Sequence, residues 1–154
     1  MKVEEVLHQI DVMKDSLLQI MKQISEEEWV YRPHPDKFSV GELIEHIAVL
    51  PAADLRIAEE TNLQGMNDFY QQHEVHGLNR SMEKLTVTID KVRTVYLSFT
   101  ETQLSERKTA YWGVTYSRFE WLLEILVHLT HHRGQLYAML VFGLGKELKV
   151  RLFE

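Results

Sequence analysis

The sequence predicts an all-α protein, a four-helix bundle, and three observations carry that expectation. Apolar residues recur at three- and four-residue intervals in four long segments, which is the stripe of an amphipathic helix. Glycine and proline are scarce, at 7 and 3 of 154 residues. Ser25 with Glu28, Ser39 with Glu42 and Ser117 with Glu120 are three Ser-x-x-Glu sequences of the kind that cap helix starts. A chain of 154 residues fits one domain around one substantial core, taken here as residues 1–154.

The first helix is expected over Val3 to Ile24, where Val3, Leu7, Ile10, Met13, Leu17 and Ile20 share a face. Pro33 and Pro35 forbid its continuation, so residues 25–38 are a connection. The second helix is expected over about 40–62, behind the Ser39 cap. Pro51 removes one backbone hydrogen bond there, and a kink or break is expected near Ile47 to Leu50. Gln64 to Asn79 is polar, carries Gly65 and Gly77, and reads as a loop. Leu85, Ile89, Val92, Tyr96 and Phe99 place a third helix between Ser81 and Thr100, against a competing strand signal in Thr-Val-Thr-Ile. Residues 102–116 form another connection with room for a short extended piece. The fourth helix runs from Phe119 to Phe142 and ends at Gly143 and Gly145.

Composition narrows the function. With 45% apolar and 26% charged residues the chain is that of a soluble globular protein. Cysteine is absent, which excludes disulfides, thiolate zinc fingers, iron–sulfur clusters and a cysteine nucleophile. Against 23 acidic residues stand 17 basic ones, and a net charge of -6 argues against nucleic acid as a partner. No apolar run approaches the ~18 residues of a membrane span. No signal-peptide pattern follows Met1, and the expected location is the cytoplasm.

The 8 histidines are the chemical signal. At about 100° per residue, His128 and His132 fall on the apolar stripe of the fourth helix with Leu122, Ile125, Leu129 and Leu136. His46 points inward with Leu43, Leu50, Ala53 and Ile57. A lone inward histidine is commonly a core residue with a hydrogen-bond partner. Three aimed at one interior are the pattern of a metal site built from facing helices. His131 shares its side with Glu120, Glu124 and Gln135 and reads as surface. His73-Glu74-Val75-His76 falls one residue short of H-E-x-x-H and reads as polar loop. His8 and His34 carry no functional expectation.

Trp29, Arg32, Pro33, Phe38 and Ser39, then His46, and above all His128-Leu129-Thr130-His131-His132-Arg133-Gly134-Gln135, give the chain a resemblance to the DinB/YfiT family of bacterial metal-binding four-helix bundles. The resemblance covers about Val3 to Gly145. It implies that His46, His128 and His132 are the metal ligands. It also implies an up-up-down-down order of helices and frequent homodimers. In relatives of known activity it implies transfer of low-molecular-weight thiols to electrophiles, or thiol-dependent isomerisation.

Two functional readings follow. In the first, a divalent ion on the triad, zinc foremost with nickel, iron, cobalt and manganese compatible, binds a small thiol that reacts with an electrophilic small molecule. In the second, the chain is a non-catalytic metal-binding dimeric stress or sensor protein whose metal is structural, with Asp54 or Glu42 as the closing fourth ligand. Leu123, Leu126, Val127, Tyr137 and Val141 lie outside the histidine stripe, so the fourth helix needs apolar partners on more than one side and a homodimer is expected. The resemblance leaves the roles of Arg133 and Gln135 open, although Arg133 is expected to pair with an acidic neighbour.

Overall fold

Residues 2–153 are described by a computed structural model. The chain forms α1 (Val3–Met21), α2 (Glu26–Trp29), α3 (Val40–Ala58), α4 (Leu63–Gln72), α5 (Leu78–Leu97), α6 (Glu101–Ser105), β1 (Arg107–Thr109), β2 (Thr115–Ser117) and α7 (Arg118–Ala138), and ends α7 in a π-helical turn over Met139–Gly143. The four long helices bury the stripes that the sequence predicts. Leu7, Ile10, Leu17 and Ile20 of α1 meet Leu43, Ile44 and Ile47 of α3, Leu85, Ile89 and Val92 of α5, and Leu122, Ile125, Leu129 and Leu136 of α7 in one core. Each such side chain contributes about 1.5–3 kcal/mol by leaving water. All three Ser-x-x-Glu boxes form, with both reciprocal hydrogen bonds present.

The helix directions differ from those the resemblance implies. Helices α1 and α3 each pack against both α5 and α7. Glu45 Oε1, near the start of α3, accepts the Gly77 amide at the start of α5 at 3.0 Å, so α3 and α5 are parallel. Arg118 at the start of α7 pairs with Glu59 just past the end of α3, while His132 late in α7 meets His46 early in α3. Those two are antiparallel. Arg133 reaches Ser16, joining the later parts of α1 and α7. The order is therefore up-down-down-up.

A parallel α3–α5 pair demands a crossover that travels back along the bundle, about 28 Å for a 19-residue helix. That demand corrects the loop expected over Gln64–Asn79, which instead holds α4 from its second residue and the first two residues of α5. Asn62 caps α4 by accepting the Gly65 amide at 2.9 Å, and Met66 and Phe69 bury against Ala52, Ala53, Ile57 and Trp121. Two apolar anchors in ten residues are too few to show a period. The break expected at Pro51 is also absent, since α3 runs through it. The Ala48 carbonyl, in the turn that Pro51 loosens, accepts the Thr88 hydroxyl at 3.0 Å.

The extended piece expected within residues 102–116 forms as an antiparallel hairpin that runs one residue further, Arg107 opposite Ser117 and Thr109 opposite Thr115. The short α6 precedes it, capped reciprocally by Thr100 and Gln103. Two contacts shape the mouth of the bundle at its histidine end. A Cβ on Gly41 would stand 2.3 Å from the Trp29 indole, so the connection after α1 seats flat on α3. Arg32 then bonds Glu42 at 2.6 Å and the Lys37 carbonyl. Among the described residues Arg133 meets no acid: buried, with its pKa lowered by that burial, it donates to Ser16 Oγ at 2.9 Å and to the Leu152 carbonyl, and lies 5.3 Å from the Phe153 ring. It holds the C-terminal tail onto α1.

Candidate metal centre

His128 and His132 are one turn apart on α7 and so share a face, and the antiparallel α3 brings His46 opposite them. Their rings meet through one kind of atom. His132 Nε2 stands 3.1 Å from His128 Nε2 and 3.2 Å from His46 Nε2. His132 is buried, and the other two are half-buried. The three histidines that the sequence singles out are thus brought together.

The opposite edges of two of these rings are engaged. His128 Nδ1 is 2.8 Å from Asp54 Oδ2, and His132 Nδ1 is 3.0 Å from Gln135 Oε1. Both oxygens accept, so each Nδ1 carries the proton and donates. Both Nε2 atoms then present lone pairs to each other across 3.1 Å with no hydrogen between them. A cation resolves that repulsion. Ligands about 2.1 Å from a metal are about 3.0 Å apart at a right angle and about 3.4 Å apart at the tetrahedral angle, and 3.1 and 3.2 Å lie in that interval. This histidine group can hold a divalent metal ion.

The electrostatics follow from the same contacts. Burial, and then the neighbouring His132 and His128, push His46 down to about 4. Burial lowers His132 too, whereas the Asp54 hydrogen bond raises His128. His46 therefore presents a free lone pair at neutral pH. In the metal-free protein it takes up a proton near pH 4, against an ordinary value of 6.5. The unfolded chain binds more protons between those values, so this contribution to stability is full above pH 6.5 and is lost as pH falls toward 4. His132 adds to that slope and His128 opposes it. Urea unfolding of metal-free protein at pH 7 and pH 5 is expected to show a smaller loss in His46→Gln than in the wild type; equal losses would refute the assignment.

Neither carboxylate that the sequence offered as a fourth ligand closes the site. Asp54 stands at the Nδ1 edge of His128, and Glu42 is held by Arg32 and the Ser39 amide. Sequence reasoning missed the partners Asp54 and Gln135 as a pair, and also Glu124, which forms a second close group with Asp54 and His128. Burial and Asp54 raise the Glu124 pKa. The available signal was spacing, Glu124 four residues before His128 and Gln135 three after His132.

The remaining histidines stay apart from this point. His131 is exposed, as expected, yet its ring centroid is 4.9 Å from that of His132. With Arg32, Lys37, Phe38 and Gln135 it lines a groove of about 460 Å³ that reaches His132. His73 Nδ1–H donates to the Phe69 carbonyl at 2.9 Å and its ring stacks on that of Phe69, and exposed His76 lies 3.7 Å from Glu45 and Glu74. His8 is exposed, and His34 Nδ1 accepts the Asp36 amide at 3.3 Å.

Residues 9–136 match the family model of the DinB superfamily. The chain is similar to the crystal structure of a chain from Exiguobacterium sibiricum 255-15 assigned to the DinB family, at 35% identity over 97% of this chain and 96% of that one, with a TM-score of 0.76. A DinB-like protein of Bacillus subtilis has the same fold at 19% identity, over 94% of this chain and 95% of its own, with a TM-score of 0.69. So does one from Bacillus cereus ATCC 10987, at 17% identity, over 97% of this chain and 95% of its own, with a TM-score of 0.73. No match is found among curated proteins. A family model spanning most of the helical bundle, and a solved relative alike from end to end, make this chain a member of the DinB superfamily.

Proposed function

We propose that the chain is a divalent-metal-dependent transferase that joins a low-molecular-weight thiol to an electrophilic small molecule. One observation carries the reading: three imidazole Nε2 atoms converge beside an open groove, and among the described residues no fourth protein donor joins that group. A structural site is closed by four ligands, whereas a catalytic one keeps a position for substrate. A bound divalent ion, zinc foremost, supplies the positive charge that keeps a thiol as thiolate at neutral pH. The chain has no cysteine, so the sulfur comes with the substrate.

The protein's own groups do the positioning. His46, His128 and His132 hold one side of the site rigidly from two helices. Phe38, with its ring 5.3 Å from that of His46, walls the groove on the apolar side. Arg32 and Lys37 line its rim. Metal-loaded protein is expected to conjugate at least one pairing from a panel of small thiols with an aryl halide or epoxide, and metal-stripped protein none. Equal background rates across the whole panel would sink the transferase reading and leave the non-catalytic dimeric stress or sensor protein with a structural metal.

A second copy of the chain is the proposed macromolecular partner. Val127 is 65% and Leu123 38% exposed on α7, while Leu126 and Tyr137 are partly buried against the core. Light scattering at micromolar concentration is expected to give twice the chain mass, and a monomer would refute it. No helix among the described residues is long and apolar enough to cross a membrane. Cytoplasmic location, without membrane or nucleic-acid partners, completes the proposal.

A further inference from the structure

We infer that Asp54 and Gln135 are positioning residues that fix the tautomers of His128 and His132, so that Nε2 of each ring, and not Nδ1, faces the centre between the three histidines. The inference deepens the metal reading and rests on it only where metal affinity is concerned.

A neutral imidazole carries one proton on either of two nitrogens, and the partner of one nitrogen decides which of them is left as the lone pair. In a free histidine side chain the proton favours Nε2, which is the nitrogen that both rings here turn toward the centre. Left to themselves, these rings would direct N–H groups at one another. The 2.8 Å contact of His128 Nδ1 with Asp54 and the 3.0 Å contact of His132 Nδ1 with Gln135 reverse that preference.

The two devices have different origins. Gln135 lies three residues beyond His132 on α7, within the reach of neighbours on one helix, so its hydrogen bond needs only that helix. Asp54 comes from α3, the helix that also supplies His46, and is 6% exposed. His128 is therefore set only when α3 and α7 pack together. In this way assembly of the bundle and preparation of the site are one event. A buried carboxylate is costly without a partner, and among the described residues Nδ1–H of His128 is the hydrogen-bond donor that the geometry gives it. The carboxylate raises the basicity of His128 through its hydrogen bond and its charge, whereas Gln135 supplies a hydrogen bond alone, which burial outweighs at His132.

The test reads the tautomers directly. Nitrogen-15 NMR of the imidazole rings in metal-free protein is expected to show the proton of His128 and of His132 on Nδ1. In Asp54→Leu, which keeps the branched outline and removes the acceptor, the His128 proton moves to Nε2, and zinc affinity by chelator competition falls about 10–100-fold. Gln135→Leu does the same to His132, and Gln135→Glu, which keeps an acceptor, restores the Nδ1 proton. Asp54→Asn keeps the shape and an acceptor oxygen, so it retains the Nδ1 tautomer with a smaller loss of affinity and covers the case in which Asp54→Leu fails to fold. Unchanged tautomers in Asp54→Leu and Gln135→Leu overturn the inference, as does an Nε2–H assignment in the wild type. Tautomers that move as described in a wild-type protein that takes up no zinc support the positioning role and overturn the metal reading alone.

Discussion

His132→Ala is expected to leave the protein unable to retain a divalent ion. His132 Nε2 is the atom within 3.1 Å of His128 and 3.2 Å of His46, so its removal leaves two imidazoles facing a gap. The consequence is thermodynamic as well as chemical. A ligand present at 100 times its dissociation constant stabilises the state it binds by about 2.7 kcal/mol. For a chain of this size each kcal/mol moves the melting temperature by about 2–4 °C, so zinc at that level raises the wild-type midpoint by about 5–11 °C. His132→Ala shows no such rise. A variant that melts higher with zinc by the same margin would place the ion elsewhere.

The second large effect lies one residue along the turn between the two ligands. Leu129 is 0% exposed in the core that joins all four long helices. Leu129→Ala removes apolar contact and leaves a void that rigid helices only partly fill, at a cost of about 2–5 kcal/mol. The melting temperature falls by about 4–20 °C with or without metal. Leu97→Ala is the control: Leu97 is 49% exposed at the end of α5, away from the α7 face offered to a second copy, and its truncation stays within about 0.5 kcal/mol. Similar losses in the two variants, measured by urea unfolding, would mean that Leu129 does not face the core described.

Much of this was legible because periodicity carries burial. Counting faces on α7 puts His128 and His132 on the stripe that includes Leu129, and the folded helix buries that stripe. The same counting turns His46 inward on α3. The limits were also physical. A helical wheel gives one helix's orientation and says nothing of direction, so the up-down-down-up order emerges only from cross-helix contacts such as Glu45 with Gly77 and Arg118 with Glu59. The α4 crossover was hidden because only Met66 and Phe69 anchor it. Asp54 was visible as a nearby carboxylate, but which ring nitrogen it meets depends on the α3–α7 packing. Among the described residues Arg133 holds backbone and hydroxyl oxygens of the tail and α1, contacts that no local pattern encodes.

The central claim is that one divalent ion sits on three Nε2 atoms from two helices. Anomalous diffraction from crystals of untagged, zinc-loaded protein tests it most directly, beside elemental analysis of the wild type, His46→Ala and His132→Ala. The account predicts one ion per chain about 2.1 Å from Nε2 of His46, His128 and His132, and no bound metal in either variant. An ion ligated by Nδ1 or by Asp54 and Glu124, or full metal content in both variants, would contradict it.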